Sequence, residues 1–339
     1  MTLENALVSV VIPVYNGHRF VGRTLNSALA QSYRPLEIIV VDDGSTDETP
    51  RIVEAAAAAD SRIRFFRRQN RGIAATRNFA ISHAKGKLVA PLDADDLWHP
   101  QKIARQVEVM AASSPAVGLV YCWSVEIDES DLIIPSLASL KTRKRSIAEG
   151  LVTERLARGC FIECGSSPLI KRSLIDAVGG YDANLRPQGA DDWKLYLALS
   201  EICEFAVIPE YLVGYRQAAG SASRNLKAMG QSMENVARWM YERRPDLAKG
   251  LKDQTIYGVN VFIAQRALDG DLFGTALRYQ TKAYKSHPFG VFDQATFDFA
   301  LRCFARMTGL KRSKIRRRGV GPQVDFEKFQ AMQSIAKIS

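Results

Sequence analysis

Short apolar runs alternate with segments of helical periodicity along the first hundred residues, and this alternation limits the possible folds more than any other feature of the chain. Val8 to Val14 reads VSVVIPV, a β-branched run that stops at the turn residues Asn16 and Gly17. Similar strands are predicted at residues 36–41, 63–66 and 87–92, with helices between them at 20–30, 48–59 and 73–84. This alternation predicts a doubly wound, mostly parallel sheet covered by helices.

The pattern changes near residue 225. A helix is predicted at 100–113, a strand at 117–123, a loose hairpin up to residue 140, and mixed short elements that end in a strand at 211–215. Beyond Asn225 only helices are predicted, at 226–244, 247–268, 272–286 and 292–307. A chain of 339 residues exceeds one ordinary core, and 47% apolar with 24% charged residues is normal globular composition. We therefore expect an α/β domain over residues 1–225 and a helical region over 226–339.

Acidic residues directly follow two of the predicted strands. Ligands of open α/β sheets bind beyond the carboxyl ends of the strands, so these acids are candidates for chemistry. Asp93 and Asp95 can address one divalent cation, and Mg²⁺ and Mn²⁺ are usually held by one or two carboxylates plus phosphate oxygens. The pattern predicts a Mg²⁺ or Mn²⁺ site with a diphosphate partner. The same pattern at Asp269 to Asp271 lies between predicted helices, where a turn explains it.

Asp42 and Asp43 follow the second strand in the run VVDDGSTDET. Capping of the next helix explains part of this run. It does not explain two acids at the carboxyl edge of a parallel sheet, where a carboxylate can accept the N3–H of a uracil or thymine base. Asp43 is therefore a candidate for contact with a nucleotide base.

Four successive segments share their order and spacing with a known family: VSVVIPVYNG, EIIVVDDGSTDET, QNRGIAATRNFAI and LVAPLDADDLWHP. They resemble the signatures of family 2 glycosyltransferases with the GT-A fold. The resemblance continues through SSPLIKRSLIDAVGGYD, GADDWKLYLALS and IPEYLVGYRQAAGSAS, and so covers about residues 8–224. It implies a GT-A catalytic domain at 1–225, a C-terminal helical extension at 226–339, and transfer of a hexose-type sugar from a UDP- or dTDP-linked donor.

The resemblance also implies an inverting, metal-assisted single displacement, in which a carboxylate takes the proton of the acceptor hydroxyl and the metal stabilises the departing diphosphate. The implied site residues are Asp192 with Asp191 for catalysis, Pro13, Tyr15, Asp43, Asp93, Arg71 and Arg77 (with Asn78) for the nucleotide, and Asp93 and Asp95 for the metal. A cap and an acid in the first turn of a helix would explain Asp191 and Asp192 equally well without the family context.

Two positions depart from the family pattern. Asp191 stands where relatives usually have Glu, and Ala218 stands where many have His. If that His helps to hold the metal or diphosphate, another group must replace it, and the candidates are Arg216, Ser221, Ser223 and Arg224. Trp98, Trp123 and Trp193 could stack on a sugar, although a large aromatic residue near a sheet is more often part of the core. Trp98 and Trp193 are the favoured candidates for stacking, because each lies beside a motif acid.

The net charge of +10 is concentrated at the end of the chain. Residues 300–339 hold ten Lys or Arg against two acidic residues, and six of the ten lie between Lys311 and Arg318, after an apolar segment with Leu301 and Phe304. A solvated tail is one explanation. The other is peripheral contact with an anionic membrane, which suits a transferase acting on carbohydrate or lipid-linked acceptors in envelope or exopolysaccharide synthesis. Without a spanning segment or signal peptide, we expect a cytoplasmic protein, which the membrane explanation would hold at the inner membrane face.

Other classes of protein fit the sequence less well. A nucleic-acid-binding module would use the basic segment but has no supporting motif, so nucleic acid is not an expected partner. The loop after the first strand lacks both GxGxxG and a P-loop, which excludes the common dinucleotide-dependent oxidoreductases. A sugar-phosphate nucleotidyltransferase has a related sheet, but its glycine-rich phosphate loop is missing. Five scattered cysteines without CxxC spacing favour reduced thiols over zinc or disulfides.

Overall fold

Eight strands form one mixed sheet in a computed structural model that describes residues 3–134, 147–218, 225–288 and 294–307. The strands are β1 Val8–Val14, β2 Leu36–Asp42, β3 Ile63–Arg67, β4 Leu88–Pro91, β5 Leu97–Trp98, β6 Val117–Ile127, β7 Leu169–Lys171 and β8 Glu204–Arg216. The helices are α1 Val21–Leu29, α2 Thr49–Ala59, α3 Ile73–Ser82, α4 Lys102–Ala112, α5 Thr153–Arg158, α6 Arg172–Ala177, α7 Asp191–Ser200, α8 Leu226–Arg243, α9 Pro245–Asp269, α10 Phe273–Ser286 and α11 Gln294–Met307. The predicted α/β class is confirmed.

The strand order is β3-β2-β1-β4-β7-β6-β8-β5. The first four strands are parallel, and β1 pairs with β2 in register from Val8 opposite Leu36 to Val14 opposite Asp42. Because these strands run in the same direction, the residues that follow them lie at one edge of the sheet, which we call the catalytic edge. β7 then runs antiparallel between β4 and β6, and the unpredicted short strand β5 pairs antiparallel with β8.

Alternate side chains of the central strands enter two cores, one on each face of the sheet. Val8, Val10 and Ile12 pack with α1 and α4, whereas Val11 and Ile39 pack with α3 and α7. Both β1 and β2 are buried along their whole length, as a strand covered on both faces must be. The apolar runs in the sequence therefore correspond to strands at the centre of the sheet.

The helical region shares the second of these cores. Val236, Ala237 and Met240 of α8 belong to the same buried cluster as the sheet residues Val11 and Ile39. Ser232 Oγ of α8 also accepts a hydrogen bond of 3.1 Å from the backbone N–H of Ala190, directly before α7. The helices thus pack on the α/β unit and fix the start of α7.

The helix pair α9 and α10 is joined at Asp269 to Asp271, as predicted, so this Asp-x-Asp pattern belongs to a turn. The small residues of the pair are buried between the helices: Ala264, Ala267, Ala276 and Ala283. No helix within the described ranges is long and apolar enough to cross a bilayer. The basic segment from Lys311 to Arg318 lies outside the described residues.

Candidate active site

Asp93 and Asp95 lie in the loop that leaves β4 at the catalytic edge. The backbone N–H of Asp93 donates to Ser166 Oγ at 2.9 Å, and the backbone oxygen of Asp95 accepts from Arg216 Nε at 2.6 Å. Burial, with a smaller effect of the nearby Asp93 charge, raises the pKa of Asp95 to about 6. The loop therefore gathers negative charge in a place where water stabilises it poorly.

Arg77 of α3 joins three of the predicted site acids. Its Nη2 donates to Asp93 Oδ1 at 2.5 Å, while Nη1 donates to Asp191 Oδ2 at 2.8 Å and to Asp192 Oδ1 at 3.0 Å. The Arg77 side chain is only 2% exposed, whereas that of Asp192 is 27% exposed. One buried guanidinium therefore brings the loop after β4 and the first turn of α7 into a single acidic site.

The first turn of α7 presents Asp191 and Asp192 without using them as caps. Ala190 occupies the cap position, and no side chain caps the helix. Burial raises the pKa of Asp192 to about 7, with Asp191 and Asp93 adding to the rise and the Arg77 guanidinium opposing it. A carboxylate with a pKa near neutrality can accept a proton and later release it, as a general base must.

Tyr15 and Asp43 follow β1 and β2 at the same edge. Tyr15 is 53% exposed, so its ring is available to a planar ligand. Asp43 is buried, and its two carboxylate oxygens accept the backbone N–H groups of Arg71 and Gly72 at 3.0 and 2.8 Å. Pro13 is buried within β1, and the Arg71 side chain is exposed.

An open cleft of about 540 Å³ lies beside Asp43, between the loops after β2 and β3. It is lined by Gly44, Ser45, Arg67, Arg68, Gln69 and Asn70. The loop after β1 is fastened to its near side, because Asn16 Oδ1 accepts the N–H of Thr46 at 2.9 Å and the N–H of Asn16 donates to Ser45 Oγ at 2.8 Å. This end of the catalytic edge can hold an extended ligand.

Three residues that the motifs did not single out as site residues support the acidic loop, and two of them, Asp96 and Ser166, are buried. Asp96 is fully buried, and its carboxylate accepts from Ser166 Oγ at 2.5 Å and from the backbone N–H of Arg216 at 2.9 Å. Burial and the neighbouring acids raise the pKa of Asp96 well above its usual range. Gly165 lies directly against Asp192 and Asp93. The third acid of the run DADD was a signal for Asp96, whereas nothing local marked Ser166 or Gly165.

The structure shows that the side chains of Trp98, Trp193 and Asn78, which were expected near the ligand, contact other parts of the protein. Trp98 and Trp193 are buried, and their indole N–H groups donate to the backbone oxygens of Ser166 and Leu156, so the expected stacking on a sugar is wrong. Asn78 exchanges two hydrogen bonds with the backbone of Tyr181.

Arg216, a candidate replacement for the histidine of relatives, is buried and bonded to Asp131 and to the backbone oxygens of Asp95 and Asp128. Ala218 is buried, and Ser221, Ser223 and Arg224 lie outside the described residues.

The acids present fit a divalent cation that is shared with a ligand. Within the described ranges, no three His, Cys, Asp or Glu side chains are grouped closely enough to hold an ion by themselves. Asp93 and Asp95 nevertheless supply the one or two hard oxygen ligands that Mg²⁺ or Mn²⁺ takes from a protein when phosphates complete its coordination. Burial and the nearby Asp93 charge raise the pKa of Asp95, so its ionised form is disfavoured, and a bound cation would stabilise that form.

Comparison with known proteins identifies the class of this fold and site. The family model described as glycosyl transferase family 2 matches residues 9–179. The chain is 30% identical over 265 residues to an uncharacterized glycosyltransferase of Nostoc sp., covering 72% of this chain and 80% of that protein. It is 27% identical over 229 residues to chondroitin synthase of Escherichia coli, covering 68% of this chain and 31% of that protein.

Solved structures share the fold. The mannosyltransferase PcManGT from Pyrobaculum calidifontis, in complex with GDP-Man and Mn²⁺, aligns with a TM-score of 0.58 at 21% identity, over 91% of this chain and 81% of that one. S. aureus TarS 1–349 in complex with UDP-GlcNAc aligns with a TM-score of 0.59 at 16% identity, over 84% of this chain and 92% of that one. The molecule is thus a GT-A-type glycosyltransferase. It belongs to glycosyltransferase family 2.

Proposed function

We propose that this enzyme transfers a sugar from a nucleoside diphosphate sugar to an acceptor hydroxyl with inversion at the anomeric carbon. The observation that carries this proposal is the contact of one guanidinium, that of Arg77, with both Asp93 and Asp192. A cation-binding acid and a proton-accepting acid must lie on either side of one reacting carbon, and their common partner keeps these two within one site.

Asp192 is the proposed general base. It takes the proton of the acceptor hydroxyl while the acceptor oxygen bonds to the anomeric carbon and the bond from that carbon to the phosphate oxygen breaks. The nucleoside diphosphate leaves with the electron pair of the broken bond. With a pKa of about 7, Asp192 is substantially ionised at neutral pH and still basic enough to take the proton. Asp191 holds Arg77 from the same turn of α7.

Asp93 and Asp95 are the proposed ligands of a Mg²⁺ or Mn²⁺ ion. The bound ion would neutralise the negative charge that develops on the departing diphosphate. Support comes from the donor set and from PcManGT, whose structure contains Mn²⁺. Arg71, on the loop held by Asp43, is exposed and free to approach the diphosphate, whereas the contacts of Arg77 are with carboxylates.

Tyr15 and Asp43, with Pro13 behind them, form the proposed base site. An exposed aromatic ring beside a carboxylate suits a planar base that carries an N–H, and we assign a UDP- or dTDP-linked donor. The proposed acceptor is a carbohydrate or lipid-linked sugar in envelope or exopolysaccharide synthesis, which the likeness to a polysaccharide synthase supports. The basic C-terminal segment would hold the enzyme reversibly at an anionic, cytoplasmic membrane face.

A thermal-shift panel tests the donor. UDP-, dTDP- and GDP-sugars are compared with and without Mn²⁺, because a ligand that binds only the folded state raises the unfolding temperature. We expect stabilisation by a uridine or thymidine donor that needs Mn²⁺ and is lost in Asp95→Ala. Asp269→Ala, in the second Asp-x-Asp pattern, is the matched control and should respond like the wild type. Equal stabilisation of Asp95→Ala would contradict the metal site, and a preference for GDP-sugars would contradict the base assignment.

A further inference from the structure

Ser166 connects two acids of the run DADD, the partly exposed Asp93 and the fully buried Asp96. Its side chain is fully buried, and its Oγ lies 2.9 Å from the backbone nitrogen of Asp93 and 2.5 Å from Asp96 Oδ2. Because the Asp93 N–H can only donate, Ser166 Oγ accepts there and is left with its own proton for the Asp96 carboxylate. The hydroxyl therefore stands between the start of the acidic loop and an acid that never reaches the surface.

Asp96 is placed to orient this hydroxyl and not to bind a ligand. Its side chain has no exposed surface, and its second oxygen accepts the backbone N–H of Arg216 at 2.9 Å. Cys164 Sγ lies 3.2 Å from the same oxygen that Ser166 contacts. All the contacts of the carboxylate point inward, so its effect on a bound donor must pass through the residues that it holds.

The backbone of Ser166 is fixed from the other side of the loop. Its carbonyl oxygen accepts the indole N–H of Trp98 at 2.8 Å, and Trp98 is itself buried with the ammonium of Lys102 4.0 Å from its ring centre. The backbone position of Ser166 and the direction of its hydroxyl are thus both fixed. The hydroxyl holds the amide of Asp93 in place, while Arg77 holds the Asp93 carboxylate.

We propose that Ser166 is a positioning residue, which sets the placement of the metal-binding acid Asp93 through a hydrogen bond from the Asp93 backbone amide. This inference rests on the proposed function for the metal role of Asp93, but the hydrogen bond itself can be tested without metal or donor. Loss of the hydroxyl would leave a partly buried amide of the acidic loop without this partner and let the loop shift.

The neighbouring serine provides a matched control. Ser167 is 1% exposed, and within the described part of the chain its Oγ has no hydrogen-bond partner. Ser166→Ala and Ser167→Ala remove the same atom from two adjacent buried positions. Loss of a buried oxygen atom by itself would affect the two variants alike, whereas loss of the hydrogen bond to the Asp93 amide affects Ser166→Ala alone.

Two measurements on the full-length variants decide the matter. Hydrogen–deuterium exchange of the Asp93 amide, without ligand, is expected to accelerate at least about tenfold in Ser166→Ala and to stay unchanged in Ser167→Ala. The affinity for Mn²⁺ in the presence of UDP, followed by the electron paramagnetic resonance of the free ion, is expected to fall by about 10- to 100-fold in Ser166→Ala alone, as for other residues that orient metal ligands.

Unchanged exchange in Ser166→Ala, or equal acceleration in both variants, overturns the positioning role. Accelerated exchange with wild-type Mn²⁺ affinity overturns its connection to the metal. If the wild-type enzyme binds Mn²⁺ with neither UDP nor dTDP, the metal role of Asp93 and the proposed function fail together, while the exchange result still decides whether Ser166 holds the Asp93 amide.

Discussion

Gly165 packs so closely against Asp192 that a methyl group on residue 165 would lie 2.7 Å from Asp192 Oδ2. The same methyl group would lie 3.3 Å from Asp93 Oδ2 and from Arg77 Nη2. The absence of a side chain at this position is therefore what lets the acids of α7 and of the loop after β4 approach each other. Gly165 forms one wall of the space where the proposed transfer takes place.

Gly165→Ala should reduce turnover strongly while leaving the protein folded, because the added methyl group displaces the Asp192 carboxylate. We expect a fall in kcat of at least about tenfold, corresponding to roughly 1.4 kcal/mol in the barrier. Gly250→Ala is the control, since a methyl group there meets no atom within 4 Å and adds helix propensity. Steady-state kinetics with the donor identified by thermal shift measure both variants. Normal turnover in Gly165→Ala would show that Asp192 does not need its present position.

Asp192→Asn should lower kcat by roughly 10²–10⁴ with little change in donor binding, because the amide keeps the shape and loses the basicity. In the wild type the active form is the ionised carboxylate, and its pKa is about 7. Below that pH the protonated fraction grows, so kcat/KM should fall about tenfold for each pH unit and level off above it. Near-normal turnover of the variant, or a wild-type kcat/KM that does not change between pH 5 and 8, would indicate that another residue is the general base.

Arg77→Met should destabilise the protein by about 3–5 kcal/mol near neutral pH, as expected when one partner of a buried ion cluster is removed. The penalty arises from repulsion among Asp93, Asp191 and Asp192, and it should shrink towards acidic pH as Asp192 becomes protonated. The Arg77 guanidinium lowers the pKa of Asp192, so its loss raises that pKa further. Urea denaturation at pH 5 and pH 8 measures the difference. A destabilisation that grows towards pH 5 would contradict this account.

Neutralisation of the basic C-terminal segment should abolish binding to anionic vesicles. Six cations lie between Lys311 and Arg318, and each contributes about 1 kcal/mol near an anionic leaflet, so replacement of all six by Gln removes most of the attraction. The control replaces the four cations between Lys141 and Arg145. Co-sedimentation with anionic and neutral vesicles at two salt concentrations gives the readout. Equal sedimentation of wild type and C-terminal variant would leave a solvated tail as the explanation.

Much of the fold could be predicted because its signals are local. The strand from Val8 to Val14 has the same bounds in the sequence prediction and in the structure, since one continuous β-branched run forms one buried strand. The helix pair around Asp269 to Asp271 was also predicted, from turn residues and helical periodicity. The two-residue strand β5 was missed, because its ladder partner within the described residues is the distant β8 and no local pattern marks it.

The site was predictable only in part, because its geometry depends on pairs that are far apart in the chain. Arg77 and Asp191 are 114 positions apart, and no spacing rule predicts that they meet. Trp98 lies close to the motif acids in sequence, yet its ring is buried in the core, because a turn after β4 separates the acids Asp93 and Asp95 from the short strand β5 that holds Trp98. The roles of the individual site residues remain predictions until the variants above are measured.

The hydrogen bond between Ser232 of α8 and the amide that precedes α7 has a consequence for how this enzyme can diversify. The helical region supplies a wall of the main core and also sets the point from which Asp192 projects. The helical region therefore cannot be replaced by that of a relative, as an independent unit, in order to change the specificity. A graft of foreign helices onto this scaffold would have to recreate the serine and the apolar residues around it, or Asp192, the proposed general base, would lose its alignment along with the fold.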